Sequence, residues 1–320
     1  MNEGRVRIVE VGPRDGLQNE KQPVATATKL ELIRRLAAAG LRTIEATAFV
    51  SPKWVPQMAD HAELMAALPG ALASLADLPD ASAAPALNLP VLTPNLKGYE
   101  AAVAAGAKEV AVFGAASESF SQRNINCSIA ESIERFGPIF DAARRDGVRV
   151  RGYVSCVVAC PYEGPIAPAQ VAAVAAELDA RGAYEVSLGD TIGAGTPASV
   201  LRMLEAVAAR VPVERLAGHY HDTYGMAVAN VHASHGFGLR VFDSSVGGLG
   251  GCPYARGATG NVATEDLVYL LHGMGAVTGI DLDALVDTAA WISAALGRPP
   301  ASRVARAMLA KRPTAPSVDG

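Results

Sequence analysis

Val148-Arg149-Val150-Arg151-Gly152-Tyr153-Val154, then Pro168 to Arg181, then Gly182, then Tyr184-Glu185-Val186-Ser187-Leu188: the order of these runs decides the fold class. The first and last are short and rich in β-branched and aromatic residues, as strands are. The middle run carries Val171, Val174, Ala175 and Leu178 at helical spacing. Pro168 suits a first helical turn through its fixed φ. Gly182 suits the left-handed residue that closes a helix. The result is a strand–helix–strand unit, the building block of a parallel sheet.

The same alternation extends in both directions. Further strands are expected at Val6–Val11, Thr43–Phe49, Leu89–Thr93, Glu109–Phe113, Leu216–His221 and Val241–Ser245. Helices are expected at Lys29–Ala39, Ala130–Arg145 and Pro197–Ala209, with Gly40, Gly106 and Gly147 just past helix ends. Eight strands, each followed by a helix, read as an α/β fold, a (β/α)8 TIM barrel. A doubly wound open sheet is the alternative, but no G-x-G-x-x-G turn follows the first strand. The expected barrel covers 5–275. A short C-terminal helical appendage and tail cover 276–320, with helices at Asp283–Leu296 and Ser302–Lys311, and the whole chain is expected to form a single domain. Ala71–Leu87, rich in Ala, Pro, Asp and Ser, reads as a loop extension without a function.

Composition bounds the function. Of 320 residues, 50% are hydrophobic, too many for a disordered chain. The net charge of −4, from 28 basic and 32 acidic residues, excludes a dedicated nucleic-acid binder. No apolar run approaches the roughly 18 residues of a membrane span. Met1–Arg5 resembles neither a secretory signal nor an organelle leader, so the expected location is the cytoplasm. Cys127, Cys156, Cys160 and Cys252 are too sparse for a disulfide scaffold and read as reduced thiols, three of them core filler.

Catalytic groups of a (β/α)8 barrel come from the carboxyl ends of its strands. Strand one runs into Gly12-Pro13-Arg14-Asp15-Gly16; strand two carries Glu45; strand seven ends Gly218-His219-Tyr220-His221-Asp222; Gly247–Gly251, Cys252 and Asn261 follow strand eight. These residues would converge on one mouth. His219 and His221, at i and i+2, face the same side of their strand. With Asp15 they form a two-histidine, one-carboxylate metal set. Asn261 adds a neutral oxygen, and such an oxygen-leaning set suits Mg²⁺ or Mn²⁺ better than a closed zinc site. Arg14 could hold a carboxylate or a developing oxyanion, or simply pair with Asp15. Glu45 would orient Arg14 or a metal-bound water. Gly247–Gly251 could be turn residues or a lid, and on a lid Cys252 would be a proton donor or nucleophile.

At this point the residues match a known pattern. The chain resembles the 3-hydroxy-3-methylglutaryl-CoA lyases, metal-dependent TIM-barrel enzymes related to Claisen-type synthases. The resemblance rests on Val9–Glu20, Phe49–Met58, Thr93–Gly98, Arg151–Cys156, Leu188–Gly193, His219–Gly225, Gly248–Ala255 and Gly260–Asp266. It implies that Asp15, His219, His221 and Asn261 are the metal ligands, and that Arg14 stabilises the enolate oxygen of the departing acetyl-CoA. It makes Glu45 an active-site carboxylate and Cys252 a thiol in proton transfer. Tyr153 and Asp190 match further active-site positions. Gln18, Lys21 and Thr191 join Arg14, Tyr153 and Asp190 as expected substrate contacts, and Lys21 and Arg151 are candidates to hold coenzyme A phosphates. Ala48 departs from the family, where many members have serine, and is expected near the mouth.

The implied reaction is retro-Claisen cleavage to acetyl-CoA and acetoacetate, as in leucine degradation and ketone-body formation, with either Asp15 or His219 as base. The competing readings are a lyase for a larger 3-hydroxy-3-substituted glutaryl-CoA, such as the isohexenyl compound, and a catalytically silent CoA-binding protein. The resemblance also implies a homodimer.

Overall fold

The computed structural model describes residues 4–73, 75, 86–251 and 259–312. Its strands are β1 (Arg7–Glu10), β2 (Thr43–Ile44), β3 (Thr47–Ala48), β4 (Val91–Leu92), β5 (Glu109–Ala115), β6 (Arg149–Ser155), a hairpin of β7 (Ala159–Cys160) and β8 (Gly164–Pro165), then β9 (Glu185–Asp190), β10 (Leu216–Tyr220) and β11 (Val241–Ser244). The pairings between these strands are parallel outside the hairpin, in the order β2-β1-β11-β10-β9-β6-β5-β4-β3. β2 and β3 stand at opposite ends of that order, yet only two residues separate them in the chain. They are two halves of one strand. The Glu45 N–H donates to Glu10 O on one side, and the Ala46 N–H to Pro90 O on the other. The sheet therefore closes on itself with eight strands, and the doubly wound alternative is excluded. The expected continuous strand Thr43–Phe49 is split at Glu45 because its first half pairs with β1 and its second with β4.

A helix follows each barrel strand: α1 (Thr26–Ala38), α2 (His61–Leu72), α3 (Leu96–Ala104), α4 (Glu118–Ile125) with α5 (Ile129–Asp146), α6 (Pro168–Arg181), α7 (Pro197–Ala208), α8 (Ala227–Phe237) and α9 (Thr264–Gly273). Local chemistry sets their ends. Ser128 and Glu131 form a capping box at the start of α5, and Gly147 closes it at φ 67°. α1 begins three residues earlier than expected, and its buried Lys29 pairs with Asp60 at 2.7 Å. The helix–strand contact is tight at α6, where a Cβ on Gly152 would stand 3.0 Å from Leu178.

Two more helices, α10 (Leu282–Ala295) and α11 (Arg303–Ala310), pack on the barrel. α10 lies against α1, α9 and the turn Val246–Gly248. Asp266 of α9 accepts hydrogen bonds from Ser302 Oγ and the N–H groups of Arg303 and Val304, which fixes the start of α11. Among the described residues no helix is long and apolar enough to cross a membrane. Most of Ala71–Leu87 lies outside the described residues.

Strand parity sorts the side chains. On β6, Gly152 faces helix α6, so Arg151 and Tyr153 face the axis. On β10, Tyr220 turns outward to Ser234 of α8 and His219 turns inward. Apolar residues fill the space between strands and helices. A separate small apolar group is formed by Val9, Val11, Ala217 and Val241.

Candidate active site

At the carboxyl end of β1 the chain makes a π-helical turn, Gly12–Gly16. Such turns are rare and cluster at functional sites. The turn is seated closely. A Cβ on Gly12 would stand 2.5 Å from Glu10 Oε1, and one on Gly16 2.7 Å from Ser245 Oγ, so neither position takes a side chain without movement. Arg14 and Asp15 leave this turn toward the axis.

Arg14 is buried at 6% exposure. Its Nε donates to Glu45 Oε2 at 2.7 Å and its Nη1 to Asp15 Oδ1 at 2.8 Å. Burial pulls the guanidinium pKa down, but Glu45 and Asp15 outweigh this and raise it. Burial likewise pushes the Asp15 carboxyl up, and Arg14, His219 and His221 hold it below its usual value. Glu45 goes the other way: burial raises it, and Arg14 only partly compensates. Its Oε1 is buried with no hydrogen-bond partner.

Asp15, His219 and His221 each bring a ligand-type atom within 4.8 Å of the others. The two imidazole rings lie 5.4 Å apart. His219 Nδ1 lies 3.1 Å from Asp243 Oδ2, an acceptor, so in the neutral ring Nδ1 carries the proton and Nε2 the lone pair. Burial and the neighbouring His219 lower His221 to about 4, so it is neutral near pH 7. Its Nδ1 is buried without a partner. Asn261 comes from a segment running antiparallel beside the end of β10. Its Nδ2 donates to Asp15 Oδ2 at 2.8 Å, while its Oδ1 is buried without a partner. Two buried atoms with lone pairs and no donor, beside a carboxylate and a second imidazole, are what a hard divalent cation needs.

A cavity of about 460 Å³ opens above these groups. Gln18, Tyr153 and Thr191 line it together with Arg14, Asp15 and both histidines. Its apolar wall includes Val50, Leu92, Phe113 and Phe120, and Trp54 stands 87% exposed at its edge.

Several expectations need correction. Asp190 does not face the cavity. It is buried and accepts the N–H groups of Ala194 and Gly195 at 3.2 and 2.7 Å, because parity turns it outward while Gly189 and Thr191 face in. Lys21 is exposed and does not line the cavity. Arg151 does not line the cavity either. It lies on the axis at 1% exposure, bidentate to Asp243 at 2.7 and 3.0 Å and bonded to Glu185 at 2.8 Å. Ala48 is near the mouth, as expected: it is buried beside Val50 and Leu92, which line the cavity, without lining it itself. Gly247–Gly250 form a packed turn: Gly247 N–H donates to Glu265, and a Cβ on Gly250 would meet Asn261 Nδ2 at 2.9 Å. Cys252 lies outside the described residues. Cys127, Cys156 and Cys160 are buried, as expected of core filler.

Sequence reasoning missed three carboxylates. Asp243 joins His219, Arg151 and Ser187 Oγ into one buried network. Its inward parity beside Val241 was the available signal. Glu10 accepts from the N–H groups of Gly12 and Val246 and from Thr264 Oγ1, binding the π-turn to the turn after β11. Glu265 accepts the Gly247 N–H. Burial raises Glu10 to about 7 and Glu265 to about 8.

Residues 5–292 match the HMGL-like family model. The chain is 60% identical over 307 residues to a Pseudomonas aeruginosa protein named 3-hydroxy-3-isohexenylglutaryl-CoA/hydroxy-methylglutaryl-CoA lyase, covering 96% of this chain and 98% of that one. It is 58% identical to the Bos taurus mitochondrial hydroxymethylglutaryl-CoA lyase, over 95% of this chain and 89% of the relative. Among solved structures, the Pseudomonas aeruginosa hydroxymethylglutaryl-CoA lyase superposes with a TM-score of 0.90 at 59% identity, covering 97% of this chain and 99% of that one.

Proposed function

Since the chain belongs to the HMGL-like family, we propose that it is a divalent-metal-dependent carbon–carbon lyase that cleaves 3-hydroxy-3-methylglutaryl-CoA to acetyl-CoA and acetoacetate. The carrying observation is the cluster of half-buried Asp15 with buried His219 and His221, with the unpartnered Asn261 Oδ1 beside it. These four residues would hold Mg²⁺ or Mn²⁺. The bound ion supplies Lewis acidity that lowers the pKa of the substrate's tertiary hydroxyl.

The chain's own residues do the rest. Asp15 or His219 takes the proton from the C3 hydroxyl. Asp15 has carboxylate lone pairs to spare beside the ion, whereas His219, whose Nδ1 faces Asp243, has only the Nε2 lone pair and would act as base only with that lone pair off the ion. The C2–C3 bond breaks, C3 becomes the keto carbon of acetoacetate, and the electron pair moves to C2 and onto the thioester oxygen. Arg14, held by Glu45 and Asp15, offers donors to that oxygen at the moment its charge develops. A proton delivered to C2 completes acetyl-CoA, and the Cys252 thiol is the proposed donor. Gln18, Tyr153 and Thr191 line the space for the acyl group. The reading carries with it a cytoplasmic homodimer acting on a soluble acyl-CoA.

The test is acetoacetate release from the substrate with Mg²⁺ or Mn²⁺ and its abolition by EDTA. No release under any metal would overturn the reading in favour of a silent CoA-binding protein. A second reading, cleavage of the isohexenyl analogue, is favoured by the apolar wall of Val50, Leu92, Phe113 and Phe120. Comparing kcat/KM for the two substrates decides between them.

A further inference from the structure

The amino end of the barrel, opposite the mouth, holds a second cavity of about 690 Å³. Arg5, Arg7, Arg42, Arg149 and Arg240 line it, against only two acidic lining residues, Glu185 and Glu214. In a chain of net charge −4 this is a local excess of positive charge. Two of the five guanidinium groups are neutralised: Arg7 pairs with Glu185, and Arg149 with Glu109. Among the described residues, Arg42 and Arg240 bond only to backbone carbonyls, Ala37 and Leu41 for the first, His235 and Leu239 for the second. Each uses one nitrogen, Nη1, for this. Capping the carboxyl ends of α1 and α8 explains why an arginine stands at each place. It does not explain why both, with Arg5, line one cavity. Arg5 has no ion pair among the described residues.

We propose that this cavity binds a phosphate-bearing anion of two or more charges. A planar fork of N–H donors matches the oxygens of a phosphate, and several such forks around one space favour it over a single carboxylate. The volume lies within the range of small-molecule sites. Tyr184, with Arg149 stacked 4.8 Å from its ring centre, adds a flat surface for an organic part of the ligand. The site is also wired to the mouth. Arg7 pairs with Glu185, Glu185 with Arg151, Arg151 with Asp243, and Asp243 with His219. An anion that draws Arg7 toward itself competes directly with the first link of that chain.

The metal-loaded full chain is titrated with inorganic phosphate, and in a second arm with ribose 5-phosphate, at constant ionic strength set by sodium chloride. The thermal midpoint reports binding. Phosphate is expected to raise the midpoint where chloride does not. The double variant Arg42→Ala/Arg240→Ala is expected to bind about tenfold or more weakly, with kcat and KM unchanged when phosphate is absent. Arg42→Lys/Arg240→Lys, which keeps both charges, should retain part of the response. Tighter binding of ribose 5-phosphate than of phosphate assigns the source as an organic phosphate, and equal binding assigns it as the free anion. A phosphate effect no larger than that of chloride overturns the site, as does a double alanine variant that binds like the parent. Neither result bears on the lyase assay, which is read separately.

Discussion

At the carboxyl end of the barrel, Arg14 is buried with Glu45 and Asp15 both against it; at the amino end, Arg42 and Arg240 stand half-open with only carbonyls for partners among the described residues. The contrast follows from dielectric. A buried cation without a counter-charge is strongly disfavoured, so the mouth can keep Arg14 only as part of a triad. An arginine reached by water needs no such partner. The mouth is therefore a site whose charges are already committed, and the amino end one whose charges are available. The chain Arg7–Glu185–Arg151–Asp243–His219 joins them and obeys the rule of the mouth, since Arg151 and Asp243 are almost fully buried.

The strongest way to break this picture is at its centre. Asp243→Ala leaves Arg151 with only Glu185 and Tyr153, and leaves His219 Nδ1 without its acceptor. Removing one partner of a buried ion pair costs about 3–5 kcal/mol, and denaturant unfolding should show a loss in that range. Asp243→Asn keeps the shape but not the charge. It should weaken metal binding by roughly 10–100-fold, the usual effect of losing a carboxylate behind a ligating histidine. A loss under 1 kcal/mol for Asp243→Ala would mean that the axis network is not organised by charge.

Next in size is the contrast between the two kinds of arginine. Arg14→Met should lower kcat by about 10²–10³-fold, the effect of removing one oxyanion donor, while metal still binds. Arg240→Met should leave kcat unchanged. Equal losses in the two variants would erase the distinction between the ends.

The fold was legible where the signal is local. Helical period, Pro168 and Pro197 at helix starts, and glycines at helix ends are all short-range, so the strand–helix alternation could be read directly. Closure of the sheet was not local: it depends on strand Thr43–Ala48 changing partners at Glu45. The histidine pair was legible because parity within one strand is certain once the strand is placed. Asp190 was misplaced for the converse reason, since motif membership says nothing about which way its side chain turns. Arg151 was read as a candidate phosphate contact near the mouth because sequence does not show that Glu185 and Asp243 share the barrel axis with it. The π-helical turn at Gly12–Gly16 has no sequence period to announce it.

pH separates the buried groups. His221 has a folded value of about 4 against 6.5 when free. Above pH 6.5 it is neutral in both states. Below that the unfolded chain takes up a proton that the folded chain refuses until about pH 4, so stability is lost as pH falls through this window, by up to about 3 kcal/mol. Glu265 has the opposite sign. Its folded value of about 8 lies above the 4.5 of a free glutamate, so its contribution is whole below pH 4.5 and is lost as pH rises toward 8. Unfolding of metal-free protein should therefore show His221→Asn flattening the acid limb and Glu265→Gln flattening the neutral-to-alkaline one. A wild-type acid limb that His221→Asn leaves untouched would mean that burial does not hold this imidazole neutral.

The smallest expected effect sharpens the comparison from the amino end. Arg42 Nη1 donates to Ala37 O at 2.9 Å, at the carboxyl end of α1, and forms no ion pair among the described residues. Replacing it with alanine removes one exposed cap and a favourable charge at a helix terminus, together about 1 kcal/mol or less. It also relieves repulsion from the other arginines around the same cavity, which works in the other direction. The net loss on Arg42→Ala should therefore be below that of a typical cap, and it should grow with added salt, because salt screens the repulsion among separated charges more than it weakens a bond in contact. An ordinary surface arginine shows the reverse, its contribution shrinking with salt. Measuring unfolding of Arg42→Ala and the parent at low and high sodium chloride reads the sign of that change. A loss that shrinks with salt would show that the amino-end charges do not act on one another, and that the two ends differ only in exposure.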